Sequence, residues 1–379
     1  MRKNIHVITL FTFLMIADLS VCISGSQYGS ELVPGPDSIK TINGEKLSVG
    51  HLDEFILKAM DSVGVPGLSI AIINDANIVY HRAFGVTDIE KKTPVTDKTI
   101  FEGASLSKPL FAYFVMKMVE KGVLDLDEPY FPALATVLPG NITEVVDSAS
   151  LDHYRSITPR MTLSHSTGIQ NWARGKPIQI QFKPGTGFSY SGEAYQHLGA
   201  AIGTMLDIGW ESRLDSVFQQ EVAIPLNMKN TFYVWNDQME PYKAMGHRKG
   251  KVTSDIRRYK AFGPAHSLHT EARDFALFLI EMMDPKYLKK RSVDEMLKEQ
   301  NQFRPGNELI ALGQTGWGLG FARRPTAHGI RYMHTGNNHD FQAYGCFYKE
   351  KKHGLVFFVN CDQIEPFYDL LGKYLGDEF

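Results

Sequence analysis

Strand-like apolar runs occupy both ends of this chain, and helical patterns fill the stretch between them. Near the start, residues 68–73 and 78–84 flank the polar turn Asn74-Asp75-Ala76-Asn77, a β-hairpin signal. Near the end, residues 330–334, 341–348 and 355–361 are again strand-like, and an amphipathic helix follows. Between these regions apolar residues recur at helical spacing. Leu106, Leu110, Phe111, Phe114, Val115, Met118 and Val119 mark a long helix that begins near Ser105 and stops at Lys121-Gly122. Helices are also expected over 48–60, with Ser48 as cap, and over 272–283 and 292–300. Residues 126–260 mix short helical patterns with Pro/Gly-rich loops. This order predicts one sheet built from both chain ends.

At 379 residues the chain has room for two domains or one large composite. Hydrophobic residues at 43% and charged residues at 22% supply a sizeable core. The formal charge of -2, with no basic stripe, argues against a nucleic-acid partner. Arg2 and Lys3, a short apolar core over 8–16 and small residues after it read as a cleaved export signal over 1–24, with a Gly/Ser/Pro/Lys-rich linker over 25–45. A secreted or periplasmic location follows as an expectation. Leu19-Ser20-Val21-Cys22 is an imperfect lipoprotein processing box, which makes a lipid anchor at Cys22 the weaker alternative. No later segment is long and apolar enough for an integral membrane helix. Cys346 and Cys361 lie in neighbouring strand-like runs about the turn KKHG, out of register. Two free buried thiols are therefore expected. Asn141-Ile142-Thr143 fits the glycosylation pattern, which matters only in a eukaryotic secretory pathway.

Three short stretches carry residues suited to nucleophilic chemistry. In FEGASLSKPLFAYF, Ser105 and Lys108 stand three apart at a helix start, where their side chains are neighbours. A serine hydroxyl needs a base, and lysine serves only if its environment lowers its proton affinity. Alone, Ser-x-x-Lys is weak and reads rather as a helix cap plus a surface lysine. In FKPGTGFSYSGEAYQHLG, a turn delivers Tyr190, whose phenolate a nearby cationic lysine would favour and which can relay protons. In RYMHTGNNHDFQAYG, a strand leads into His334-Thr335-Gly336. Gly336 would admit a substrate backbone to the strand edge, and the N–H groups of Asn337 and Ser105 would form an oxyanion pocket. His334, His339 and Asp340 lack the further cluster a metal centre needs. Trp172, Trp210, Trp235 and Trp317 read as core or cleft wall, with Trp172 and Trp317 the two candidates for an acyl pocket.

Taken in this order, the three stretches resemble those of the β-lactamase-related serine hydrolases, which include class C β-lactamases, D-alanyl-D-alanine carboxypeptidases, D-aminopeptidases and esterases. The resemblance runs over roughly 48–363 and includes VPGLSIAI, PVTDKTIFEGASLSK, GVLDLDEP, MTLSHSTGI and IPLNMKNTFY. It implies an α/β (α+β) fold: an antiparallel sheet from both chain ends, flanked by helices (46–125 and 261–379), with a mainly helical domain inserted over 126–260 and the active site at their junction. It implies Ser105 as acylated nucleophile, Lys108 as its base and Tyr190 as proton shuttle, acting on a small-molecule or peptide substrate with no metal or organic cofactor.

Two positions depart from the family pattern. Its Tyr-x-Asn is Tyr190-Ser191-Gly192 here, and the lysine of class C β-lactamases is His334, as in the carboxypeptidase and aminopeptidase branch. Loss of the asparagine amide and of a permanent cation argues against an efficient β-lactamase. The reading is then a Ser105 acyl-enzyme hydrolase of the esterase or peptidase kind. A true class C-like β-lactamase or D-Ala-D-Ala carboxypeptidase, or a penicillin- or peptidoglycan-binding module that acylates without turnover, are the alternatives.

Overall fold

A computed structural model describes residues 36–138, 142–209, 212–254 and 257–376. The export signal, Cys22, the first part of the linker, Asn141 and Trp210 lie outside the described residues. The two-residue turn of the first hairpin places Asp75 (φ 51°) and Ala76 (φ 56°) in the left-handed region, the geometry that matches the twist of two adjoining strands. It joins β1 (Gly67–Asn74) to β2 (Asn77–Asp88), both longer than the apolar runs alone suggested.

These strands enter a nine-stranded antiparallel sheet with β3 (Thr93–Pro94), β6 (Asn301–Gln302), β7 (Gly316–Trp317), β8 (Ala322–Thr326), β9 (Gly329–Asn337), β10 (Gln342–Tyr348) and β11 (His353–Val359), while β4 (Phe101–Ala104) and β5 (Leu268–Thr270) pair separately. The sheet order is β6-β7-β8-β9-β10-β11-β1-β2-β3. Its closing seam pairs β11 with β1, Phe357 opposite Ile70 and Val356 opposite Ala71, so the two chain ends do share one sheet.

Alternation sends Leu68, Ile70, Ile72, Tyr344, Cys346 and Phe357 to one face, against α1 (Val49–Val63) and the C-terminal α6 (Glu365–Leu375). Phe55 and Tyr374 stack between those two helices at 3.9 Å. Ser48 occupies the α1 cap position without making a side-chain cap bond. Ala71, Ile73, Phe347 and Phe358 face the other way, into a core shared with α4 (Ala272–Met283), α2 (Ser107–Glu120), α3 (Gly192–Met205) and α5 (Lys290–Leu297). That core runs without a break from the sheet into residues 126–260, through Tyr154, Leu163, Leu198 and Phe218. Helix α2 lies at its centre, buried on nearly every side, which is why its apolar residues exceed a single stripe.

Cys346 is opposite Leu355 and Cys361 lies past the end of β11; both are buried free thiols. No described helix is long and apolar enough to cross a membrane.

Candidate active site

The site begins where β4 ends. Ala104 has φ 47°, an uncommon value for a residue with a Cβ, and turns the chain sharply so that Ser105 stands in the bend before α2. The helix itself starts at Ser107, so Ser105 precedes it. The turn is pinned from outside: the Leu268 N–H donates to Ser107 Oγ at 3.0 Å, and the Tyr233 hydroxyl donates to the Ser107 carbonyl at 2.6 Å. This geometry aims the lysine at the serine, with Lys108 Nζ 3.0 Å from Ser105 Oγ.

Lys108 is 1% exposed. Its Nζ also donates to the Ala265 carbonyl at 2.8 Å and lies 4.7 Å from the centre of the Tyr190 ring. Among the described residues no carboxylate compensates its charge, and burial lowers its pKa from 10.5 to about 7. A large neutral fraction is therefore present near neutral pH, as a base requires.

Tyr190 comes from the loop leading into α3, and its hydroxyl hydrogen-bonds Ser105. Burial pushes the phenol above its usual range. The expected phenolate is thus not favoured: desolvation outweighs the hydrogen bond, and a lysine that gives up its own charge supplies little cationic support.

His165, within the MTLSHSTGI stretch, was given no role by sequence reasoning. Its ring lies 4.3 Å from that of Tyr190, and its Nδ1 accepts the Ser191 N–H at 3.1 Å. It has φ 55° and is held neutral by burial. It braces the tyrosine loop from beneath.

The Tyr-x-Asn departure has a packing counterpart. A Cβ at Gly192 would meet Trp172 Cζ2 at 2.5 Å, so the indole occupies the space an asparagine side chain needs. The Gly192 N–H is bound by Asn171 Oδ1 at 2.9 Å. Trp172 packs edge-on against His266, 5.6 Å between centres, and both border the crevice of about 390 Å³ that contains Ser105, Lys108 and Tyr190.

Strand β9 supplies the opposite wall. Its pairing with β8 ends at Met333, so no strand of that side covers residues 334–337. His334 is buried beside Trp317, 5.5 Å between ring centres, and Trp317 in turn packs against His165 and Tyr190. The His334 Nδ1–H donates to the Thr335 carbonyl at 2.7 Å, which leaves Nε2 as an acceptor, and that atom is buried without a partner. Burial lowers its pKa to about 3, so it is neutral rather than partly charged at pH 7. Thr335 and Asn337 are exposed, and Asn337 borders the crevice.

Gly336 has a different reason to be glycine from the one expected. Its missing Cβ would lie 2.3 Å from the Gly103 carbonyl, so it admits β4, not a substrate, to close approach. That contact holds the third motif against the strand that carries Ser105.

Beneath the crevice, Glu102 is fully buried and gathers Lys243 at 2.8 Å, Arg257 at 2.7 Å and Asn338 at 2.8 Å. Arg257 continues to Asp340, which also accepts from Thr253. Asp340 is thus an ion-pair partner. Arg257, His266 and Asn338 all border the crevice, and isolated residues of these types gave no sequence signal.

Comparison with known proteins identifies the family and the fold. The sequence profile of the Beta-lactamase family matches residues 52–375. A beta-lactamase of Yersinia enterocolitica is 24% identical over 353 residues, covering 82% of this chain and 88% of that protein. The mouse serine beta-lactamase-like protein LACTB, mitochondrial, is 26% identical over 146 residues, 38% of this chain and 24% of that protein. Among solved structures, an octameric penicillin-binding protein homologue from Pyrococcus abyssi superposes with a TM-score of 0.70 at 24% identity, covering 87% of this chain and 78% of that one. The D-alanine carboxypeptidase AmpC from Burkholderia cenocepacia gives 0.69 at 19% identity, over 86% and 100%. With its sheet built from both ends, its site at the head of the central helix and a profile match across most of its length, this chain belongs to the beta-lactamase family.

Proposed function

We propose that the protein is a serine hydrolase that cleaves an ester or amide bond through an acyl-enzyme on Ser105. The observation that carries this reading is the buried, uncompensated Lys108 amine 3.0 Å from Ser105 Oγ. Neutral Lys108 takes the hydroxyl proton as Ser105 attacks the carbonyl. The oxyanion forms against the N–H groups of Ser105 and Asn337. The Tyr190 phenol, bonded to Ser105, passes a proton to the leaving group and then helps draw one from the water that resolves the acyl-enzyme.

An ester or small peptide substrate is favoured over a β-lactam. The asparagine amide is replaced by the Trp172 indole edge, and neutral His334 offers no charge to a substrate carboxylate. Export to a secreted or periplasmic location remains part of the proposal, resting on the leader alone.

The test is intact-mass and peptide mass spectrometry after a fluorophosphonate probe, with assays on p-nitrophenyl esters, D-amino-acid amides and nitrocefin. The reading expects one adduct, on Ser105, and ester or amide turnover exceeding nitrocefin turnover. Full activity in Ser105→Ala would refute it. A stoichiometric burst with no turnover on any substrate would favour the non-turnover binding module.

A further inference from the structure

Side chains alternate along β9, so Arg331, Met333, Thr335 and Asn337 face away from His334 and Gly336. They border a second cavity, of about 670 Å³, closed by β10, the start of α6 and the turn Glu308–Leu312. Arg331 is 1% exposed. Its Nε and Nη1 are buried without a hydrogen-bond partner, and among the described residues no carboxylate pairs with it. Its cross-strand partner is a second arginine, Arg324, bordering the same cavity. The Tyr344 hydroxyl, also on this cavity, is buried with the Cys346 thiol as its neighbour and no stronger acceptor among the described residues. Among the described residues that line it, Glu365 is the one acidic residue, and it is exposed at the rim.

A guanidinium removed from water without a partner is costly, and a fold that retains one gains from whatever satisfies it. The remaining walls are mostly apolar: Leu312, Met333, Ile364 and the rings of Tyr344 and Tyr368. A bare inorganic anion would leave those walls wet, and an uncharged chain would leave the guanidinium unpaired. We propose that this cavity binds an amphipathic carboxylate, its oxygens on Arg331 and Tyr344 and its apolar body along Leu312, Met333 and Ile364. The cavity also adjoins the catalytic side. Leu312, Met333, Thr335 and Asn337 border a further cavity of about 730 Å³ that reaches Ser105 and Tyr190. A substrate carrying such a carboxylate at its far end therefore spans from the serine to the arginine, an extension that rests on the acyl-enzyme reading, whereas carboxylate binding itself does not.

The test is calorimetric titration of the full chain, and of Ser105→Ala, with octanoate. Inorganic phosphate and octyltrimethylammonium are the comparisons. Octanoate binds both chains, and binds Arg331→Met about tenfold or more weakly and Tyr344→Phe severalfold more weakly. Phosphate and the cation bind less tightly than octanoate. Arg331→Met also melts no lower than the parent, because it removes a buried unpaired charge, whereas a merely structural arginine would lower the melting temperature and leave octanoate binding unchanged. Absence of octanoate binding, equal binding by Arg331→Met, or equal binding of phosphate or the cation overturns the proposal. If Arg331→Met does not fold, unchanged affinity in Tyr344→Phe overturns it. Because Ser105→Ala is included, a failure of carboxylate binding is read separately from a failure of acylation.

Discussion

Two lysines, one in the crevice and one in the ion-pair cluster behind it, meet different fates. Lys243 has Glu102 at 2.8 Å, and that carboxylate is shared with Arg257 and Asn338. Its positive neighbours hold the Glu102 pKa down to about 2, so the carboxylate stays ionised; burial lowers the Lys243 pKa as well, but Glu102 opposes that shift, and the cluster fixes residues 243, 257 and 338 behind the site. Lys108 has a carbonyl, a hydroxyl and two aromatic faces but, among the described residues, no counter-ion. It resolves the cost of burial by giving up its proton. The same side chain, its amine drawn out of water in both places, becomes scaffold where a carboxylate is supplied and base where one is withheld.

The sharpest way to break this comparison is to swap what each lysine loses. Lys108→Met is expected to lower kcat/KM on the best ester substrate by about 10³-fold or more, with Ser105→Ala at least as severe, while thermal unfolding shows no loss of stability. The sign follows from linkage. A lysine whose folded pKa falls from 10.5 to about 7 costs stability below that range, and the cost fades as pH rises through it. The stability gap between Lys108→Met and the parent should therefore shrink from pH 7 toward pH 10. A large destabilisation by Lys108→Met would place it with the scaffold.

Glu102→Ala is expected to do the reverse, costing about 3–5 kcal/mol in denaturant unfolding because the Lys243 ammonium loses its counter-ion, while Arg257 keeps Asp340. Its contribution is present above the ordinary carboxylate pKa and is lost as pH falls toward about 2, so the parent should lose stability in acid more steeply than Glu102→Ala. Gly192→Asn is the smallest of the three, at about 1–3 kcal/mol of destabilisation from overpacking against Trp172. Adding Trp172→Ala should relieve that cost in a double-mutant cycle. An additive cycle would mean the indole does not occupy the asparagine's space.

What the sequence made legible were features carried by local pattern. The apolar runs and the Asp75-Ala76 turn led directly to β1 and β2, and the helical periodicity of 272–283 to α4. The motif order brought Ser105, Lys108, Tyr190 and His334 to one place before any coordinate did. Strand β8 was not anticipated, since Ala322–Thr326 reads ARRPT, without the alternation that marks a half-buried strand. The ionisation states were misjudged for a physical reason. Whether Tyr190 is a phenol and how neutral His334 is depend on burial by residues far away in the chain, which no motif displays. The Glu102 cluster was hidden for the same reason, its partners lying 141, 155 and 236 positions away. Arg331 looked like any arginine in a strand until the absence of a partner could be seen.

The account's central claim is that a neutral Lys108 activates Ser105. The most direct measurement is the rate of Ser105 modification by a fluorophosphonate between pH 5 and pH 9.5, followed by mass spectrometry. The account predicts a rate that rises with pH through a single ionisation near 7 and then levels, with the adduct on Ser105 and the rise abolished in Lys108→Met. A rate that is flat across that range, or one that keeps its rise when Lys108 is replaced, would contradict it.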